Sequence, residues 1–81
     1  MVVKNYEWIS LQLNHAGESK RKTNIWDCFS KRGQHLGVVK WWAHWRRYCF
    51  LPDSSMVFDC NCLWDIADFC AMSAKEQKAR P

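Results

Sequence analysis

Three tryptophans, a histidine and three cations fall within one stretch of this chain, Lys40-Trp41-Trp42-Ala43-His44-Trp45-Arg46-Arg47-Tyr48-Cys49-Phe50. Indole rings interleaved with ammonium and guanidinium groups can stack on bases, fill a pocket on a protein, or hold the cations by cation–π contact. Lys40, Trp41, Trp42, His44, Trp45, Arg46 and Arg47 are therefore the candidate partner-binding residues. A strand would send Trp41 and Trp42 to opposite faces, so at least one of Trp41, Trp42 and Trp45 must lie near the surface.

No catalytic constellation accompanies them. His44 lies near Cys49, but no orienting third group and no oxyanion motif are visible, so no catalytic residue is assigned and the chain reads as non-enzymatic. The five cysteines and three histidines raise zinc. Structural zinc sites use cysteine pairs spaced by two to four residues, and Cys60-Asn61-Cys62 is too tight for such a knuckle. Cys62 and Cys70 instead line up with Ile66 on one helix face, as apolar core residues do. No metal and no cofactor are expected, and a small zinc-stabilised module stands as the third reading.

The elements that must position the central stretch belong to one domain, 1–81, because a chain of 81 residues cannot enclose a second core. Its six Trp, four Phe and two Tyr supply the large apolar surfaces so short a chain needs, so most of them should be core. The net charge of +4 is unevenly spread. Basic clusters occur at 20–22, 31–32, 40–47 and 75–80, whereas Asp53, Asp59, Asp65 and Asp68 gather in the last third. That asymmetry favours an anionic partner. No stretch is apolar enough to span a membrane, and the start of the chain carries no basic and apolar leader pattern. A cytoplasmic protein with reduced thiols is expected.

From Tyr6 to Leu13 the chain alternates, Ile9, Leu11 and Leu13 against Trp8, Ser10 and Gln12, the period of a half-buried strand. Residues 14–22 should form an exposed basic loop. Thr23 to Ser30 alternates again, Ile25, Asp27 and Phe29 against Trp26 and Cys28. Gly33 then suits a tight hairpin, and a strand from His35 to Trp42 should return antiparallel, with Gly37 marking a bulge or a close approach. A corner or hairpin is expected at Ala43-His44, followed by a strand from Arg46 that Pro52 ends. Pro52-Asp53-Ser54-Ser55 reads as a turn, and Met56-Val57-Phe58 as a short extended piece.

Asp59 suits a helix N-cap, with Phe58 and Leu63 placed as a hydrophobic staple. Cys62, Leu63, Ile66, Phe69 and Cys70 recur at helical spacing, while Asp65 and Asp68 fall on the other face, where the helix dipole should favour them. The helix should end near Met72, leaving 73–81 as a frayed polar tail. The fold class is α+β, a small antiparallel sheet of three to five strands with one C-terminal helix packed on one face.

The order Trp26-Asp27, Leu36-Gly37, Trp42 through Trp45-Arg46-Arg47-Tyr48-Cys49-Phe50-x-Pro52, Val57-Phe58 and Cys62-Leu63-x-Asp65-Ile66-Ala67-Asp68-Phe69 resembles a group of small bacteriophage and mobile-element proteins. The resemblance covers roughly residues 23–70. Trp64 departs from it, standing where such proteins would carry a basic residue. The resemblance implies a setting: a very small phage protein that binds and blocks a host protein or nucleoprotein in the host cytoplasm, as anti-CRISPR proteins do. The alternative from another class is a single-stranded nucleic-acid-binding module that uses the exposed tryptophans and arginines.

Overall fold

The computed structural model describes residues 3–14 and 24–79. Five strands are followed by one helix: β1 Val3–Asn5, β2 Ile9–Asn14, β3 Ile25–Ser30, β4 His35–Trp42, β5 Arg47–Pro52 and α1 Cys60–Ala79. The strands form a single antiparallel sheet in sequence order, β1-β2-β3-β4-β5. The expected α+β class is therefore the observed one. The basic loop expected beyond Asn14 lies outside the described residues.

Alternation gathers the core on one face of the sheet. Ile9 and Leu11 on β2, Trp26 and Cys28 on β3 and Val39 on β4 are buried, and Tyr48 on β5 joins them. The strand expected from Tyr6 begins only at Ile9, because Tyr6, Glu7 and Trp8 make the turn from β1 and the Tyr6 N–H donates to the Ile9 carbonyl at 2.9 Å. The edge strand β1 was not foreseen. It is three exposed residues without apolar alternation, and its pairing with β2 creates it.

Two glycines work as expected. Gly33 takes a φ of 89° in the β3–β4 hairpin, and its N–H donates to the Ser30 carbonyl at 2.9 Å while Ser30 Oγ accepts the Gln34 N–H at 3.1 Å. Gly37, at φ 155°, lies beside the register shift between Cys28 and Phe29 and also at a close approach. A Cβ there would collide with the Leu51 carbonyl oxygen and stand 2.8 Å from Pro52 Cα. Pro52 is tolerated as the last residue of an edge strand, and the ladder carries one step past it, where the Asp53 N–H donates to the Leu36 carbonyl at 2.9 Å. Residues 56–58 join no strand, contrary to a regular extended segment; Phe58 stands edge-on to Phe50 at 5.4 Å.

The helix starts at its expected cap. Asp59 Oδ1 accepts the Cys62 N–H at 2.9 Å, and that bond holds the Asp59 carboxyl below its ordinary pKa. Its buried stripe is Ile66, Phe69 and Ser73, with Phe69 edge-on to Trp26 at 5.1 Å and to Tyr6 at 6.3 Å. Each large side chain so buried contributes about 2–3 kcal/mol. Three expectations need correction. Leu63 is half-exposed and does not belong to the stripe. Asp65 and Asp68 lie past the first turn, and hydrogen bonds hold them: Asp65 Oδ2 accepts the Trp8 N–H at 3.0 Å and Asp68 Oδ2 the Tyr6 hydroxyl at 3.1 Å. The helix also continues beyond Met72 to Ala79, and Ser73, within the stretch expected to fray, faces the core. No described helix is long and apolar enough to cross a membrane.

A polar clasp closes the Gly33 end of the sheet. His35 Nε2 lies 2.9 Å from Asp27 Oδ1 and Nδ1 lies 2.5 Å from Asp53 Oδ2, tying β3, β4 and the turn after β5 together. Both ring nitrogens can donate at once only as imidazolium, and the bonds to Asp53 and then Asp27 raise the His35 pKa above its ordinary value. Across β2 the residue paired with Asp27 is the uncharged Gln12.

Two measurements test this architecture. Gly37→Ala should cost about 3 kcal/mol in urea unfolding, since the obstructing atoms are backbone; a loss under about 1 kcal/mol would show that β5 yields freely. Because the folded His35 pKa lies above that of the unfolded chain, its stabilisation is complete below about pH 6.5 and declines as pH rises through the folded value. His35→Gln should remove that decline from a plot of unfolding midpoint against pH, and an unchanged slope would contradict the clasp.

Candidate functional site

The β4–β5 hairpin carries the candidate residues, and its turn separates them. Its loop is residues 43–46, closed by the Trp42–Arg47 pair. The Trp45 N–H donates to the Trp42 carbonyl at 3.1 Å and the Arg46 N–H to the Ala43 carbonyl at 3.2 Å. Arg46 then takes a left-handed φ of 52°, which turns the chain into β5 at Arg47, one residue later than expected.

Strand alternation parts Trp41 from Trp42. Trp41 packs against the core and meets the buried Tyr48 edge-on at 5.5 Å, so it supports the hairpin from the helix side. Trp42 is half-buried on the opposite face, where Lys40 Nζ sits 5.8 Å from its ring centroid. His44 and Trp45 lie 6.1 Å and 6.5 Å from Trp42, so these rings form one cluster at the tip. Trp45 is its outermost member, 65% exposed. The cation over an indole is Lys40; Arg46 and Arg47 are exposed, and Arg47 Nε donates to the Trp45 carbonyl at 3.4 Å.

The arginines border a cleft between the hairpin and the helix, lined also by Tyr48, Cys70, Ala71 and Ala74. The helical half of that cleft was missed by sequence reasoning. Alanine and cysteine carry no binding signal of their own, and only the docking of α1 on β5 brings them beside the arginines. A second apolar patch, Cys60, Leu63, Trp64 and Ala67, lies on the outer face of α1, with Trp64 72% exposed.

All five cysteines are free. Burial pushes the Cys28 thiol up to about 12 and the Cys70 thiol up to about 11, so both stay protonated at neutral pH. Among the described residues no three or more His, Cys, Asp or Glu side chains converge in a metal-binding arrangement.

Fold and hairpin define a small α+β protein that presents an aromatic and basic tip. Over 79 residues the chain is 33% identical to the "Uncharacterized 9.3 kDa protein" of Acholeplasma phage L2, a match covering 96% of this chain and 99% of that protein. It belongs to the family of that small phage protein. No protein-family model matches it, and no solved structure does.

The two faces of the hairpin should separate in mutagenesis. Trp45→Ala should change stability by no more than about 0.5 kcal/mol, as for an exposed residue. Trp41→Ala should cost about 3 kcal/mol, because it removes a ring packed on Tyr48. Equal losses in urea unfolding would mean that Trp45 is also core.

Proposed function

We propose that this chain is a non-enzymatic phage binding protein that seats the tip of the β4–β5 hairpin on a host protein or nucleoprotein in the host cytoplasm and blocks it. The observation that carries this reading is Trp45: a 65% exposed indole at the end of a hairpin whose own core does not use it. Tryptophan and arginine are the side chains most enriched among residues that dominate binding energy, and an indole offers a large contact area for only two rotatable side-chain bonds.

The cluster fits a single projecting knob better than a platform for successive bases. Lys40 lies over the Trp42 ring, and His44 and Trp45 crowd its remaining sides, so Trp42 does not offer an open face for stacking. Trp45 is left as the anchor, with Arg46 and Arg47 beside it.

The test uses the intact protein to capture its partner from host lysate before and after nuclease treatment, followed by affinity measurement on the component retained. Capture should survive nuclease. Trp45→Ala should weaken binding by about 2 kcal/mol or more at every salt concentration. The double change Arg46→Ala with Arg47→Ala should weaken it mainly at low salt. Capture lost on nuclease treatment, with log affinity falling linearly against log salt, would transfer the function to nucleic-acid binding. Binding of Trp45→Ala as tight as the parent would remove the hairpin tip from the site.

A further inference from the structure

Arg46 and Arg47 are adjacent, exposed and, among the described residues, unpaired with any carboxylate. Both open onto the cleft between the hairpin and α1, whose other walls are Tyr48, Cys70, Ala71 and Ala74. The cleft is thus cationic on the hairpin side and lined by small side chains on the helix side. Arg46 occupies its place against its own backbone preference, since its φ of 52° is one that glycine adopts freely and other residues rarely. The turn would form at least as well with glycine, so folding does not account for a guanidinium at this point.

We infer that this cleft binds a carboxylate-bearing segment of the partner protein, an acidic side chain paired with Arg46 and Arg47 and followed by an apolar side chain set against Ala71 and Ala74. Guanidinium groups match the planar carboxylate with two parallel hydrogen bonds. The space available, about 320 Å³, admits one or two side chains. It is smaller than the groove along which a single strand is tracked, and within the β4–β5 hairpin the one other Lys or Arg, Lys40, is engaged over Trp42. An acidic peptide is therefore favoured over a polynucleotide. The inference rests on the proposed protein-binding role of the same hairpin and adds the chemistry of what it binds.

Backbone amide shifts of the full chain, titrated separately with a short peptide of alternating glutamate and leucine and with a single-stranded oligothymidylate of equal charge, test the inference. The peptide should produce saturable shifts at Arg46, Arg47 and Tyr48 and, across the cleft, at Cys70, Ala71 and Ala74. Arg46→Gly should lose at least tenfold in peptide affinity while its melting temperature is unchanged or higher, because glycine relieves the left-handed backbone. Arg47→Gln should lose affinity with the parent fold retained. Shifts absent from the helix side, or peptide affinity unaltered in Arg46→Gly, would overturn the inference, as would tighter saturation of these amides by the oligothymidylate. Failure here with partner capture still dependent on Trp45 would leave the protein-binding role standing. Peptide binding intact while capture ignores Trp45 would discard the Trp45 anchor and keep the cleft.

Discussion

The contact between α1 and the sheet, Ile66 and Phe69 against Trp26 and its neighbours, is the one on which everything else depends. A five-stranded meander has two faces, and in 81 residues there is chain enough to cover one of them with a helix. Lifting the helix would expose Phe69 and Trp26 together and remove the acceptors of the Tyr6 hydroxyl and the Trp8 N–H. The short strand β1 and its turn would then have only their pairing with β2 to hold them. Strand edge, turn and helix are thus joined by direct contacts.

The hairpin that carries the candidate site is held at both ends by different physics. At its base Gly37 lets the backbone of β5 come close to β4, and the His35 ring ties the turn after β5 to β3. Toward its tip Trp41 and Tyr48 pack edge-on over the helix side. The rings beyond them, Trp42, His44 and Trp45, are then presented from a supported strand pair.

Trp41 and Trp42 show how far sequence reading reaches. Alternation alone separates their faces, yet it leaves open which face the helix covers; the docking of Phe69 on Trp26 settles that Trp41 lies inside and Trp42 outside. Leu63 illustrates the converse error. Its spacing from Ile66 suits a shared apolar stripe, but the helix is rotated so that Ile66, Phe69 and Ser73 point inward and Leu63 stays half-exposed. A helical wheel ranks faces by composition, whereas the sheet accepts the face that fits its shape.

What the sequence by itself determined was everything local or periodic: β2, β3 and β5 by alternation, β4 as the strand returning from the Gly33 hairpin, the Gly33 turn by its need for positive φ, the tight place at Gly37, the Asp59 cap, and the candidate residues as a run along the chain. Only the tertiary structure decided what depends on distant residues meeting. It rotated the helix, drew Asp65 and Asp68 to the β1–β2 turn, carried α1 past Met72, joined His35 to Asp27 and Asp53, and set Cys70, Ala71 and Ala74 beside Arg46 and Arg47. The physical reason is that propensity and periodicity act over a few neighbouring residues. Register, helix rotation and cleft walls follow from how large side chains such as Trp26 and Phe69 fill one small core together.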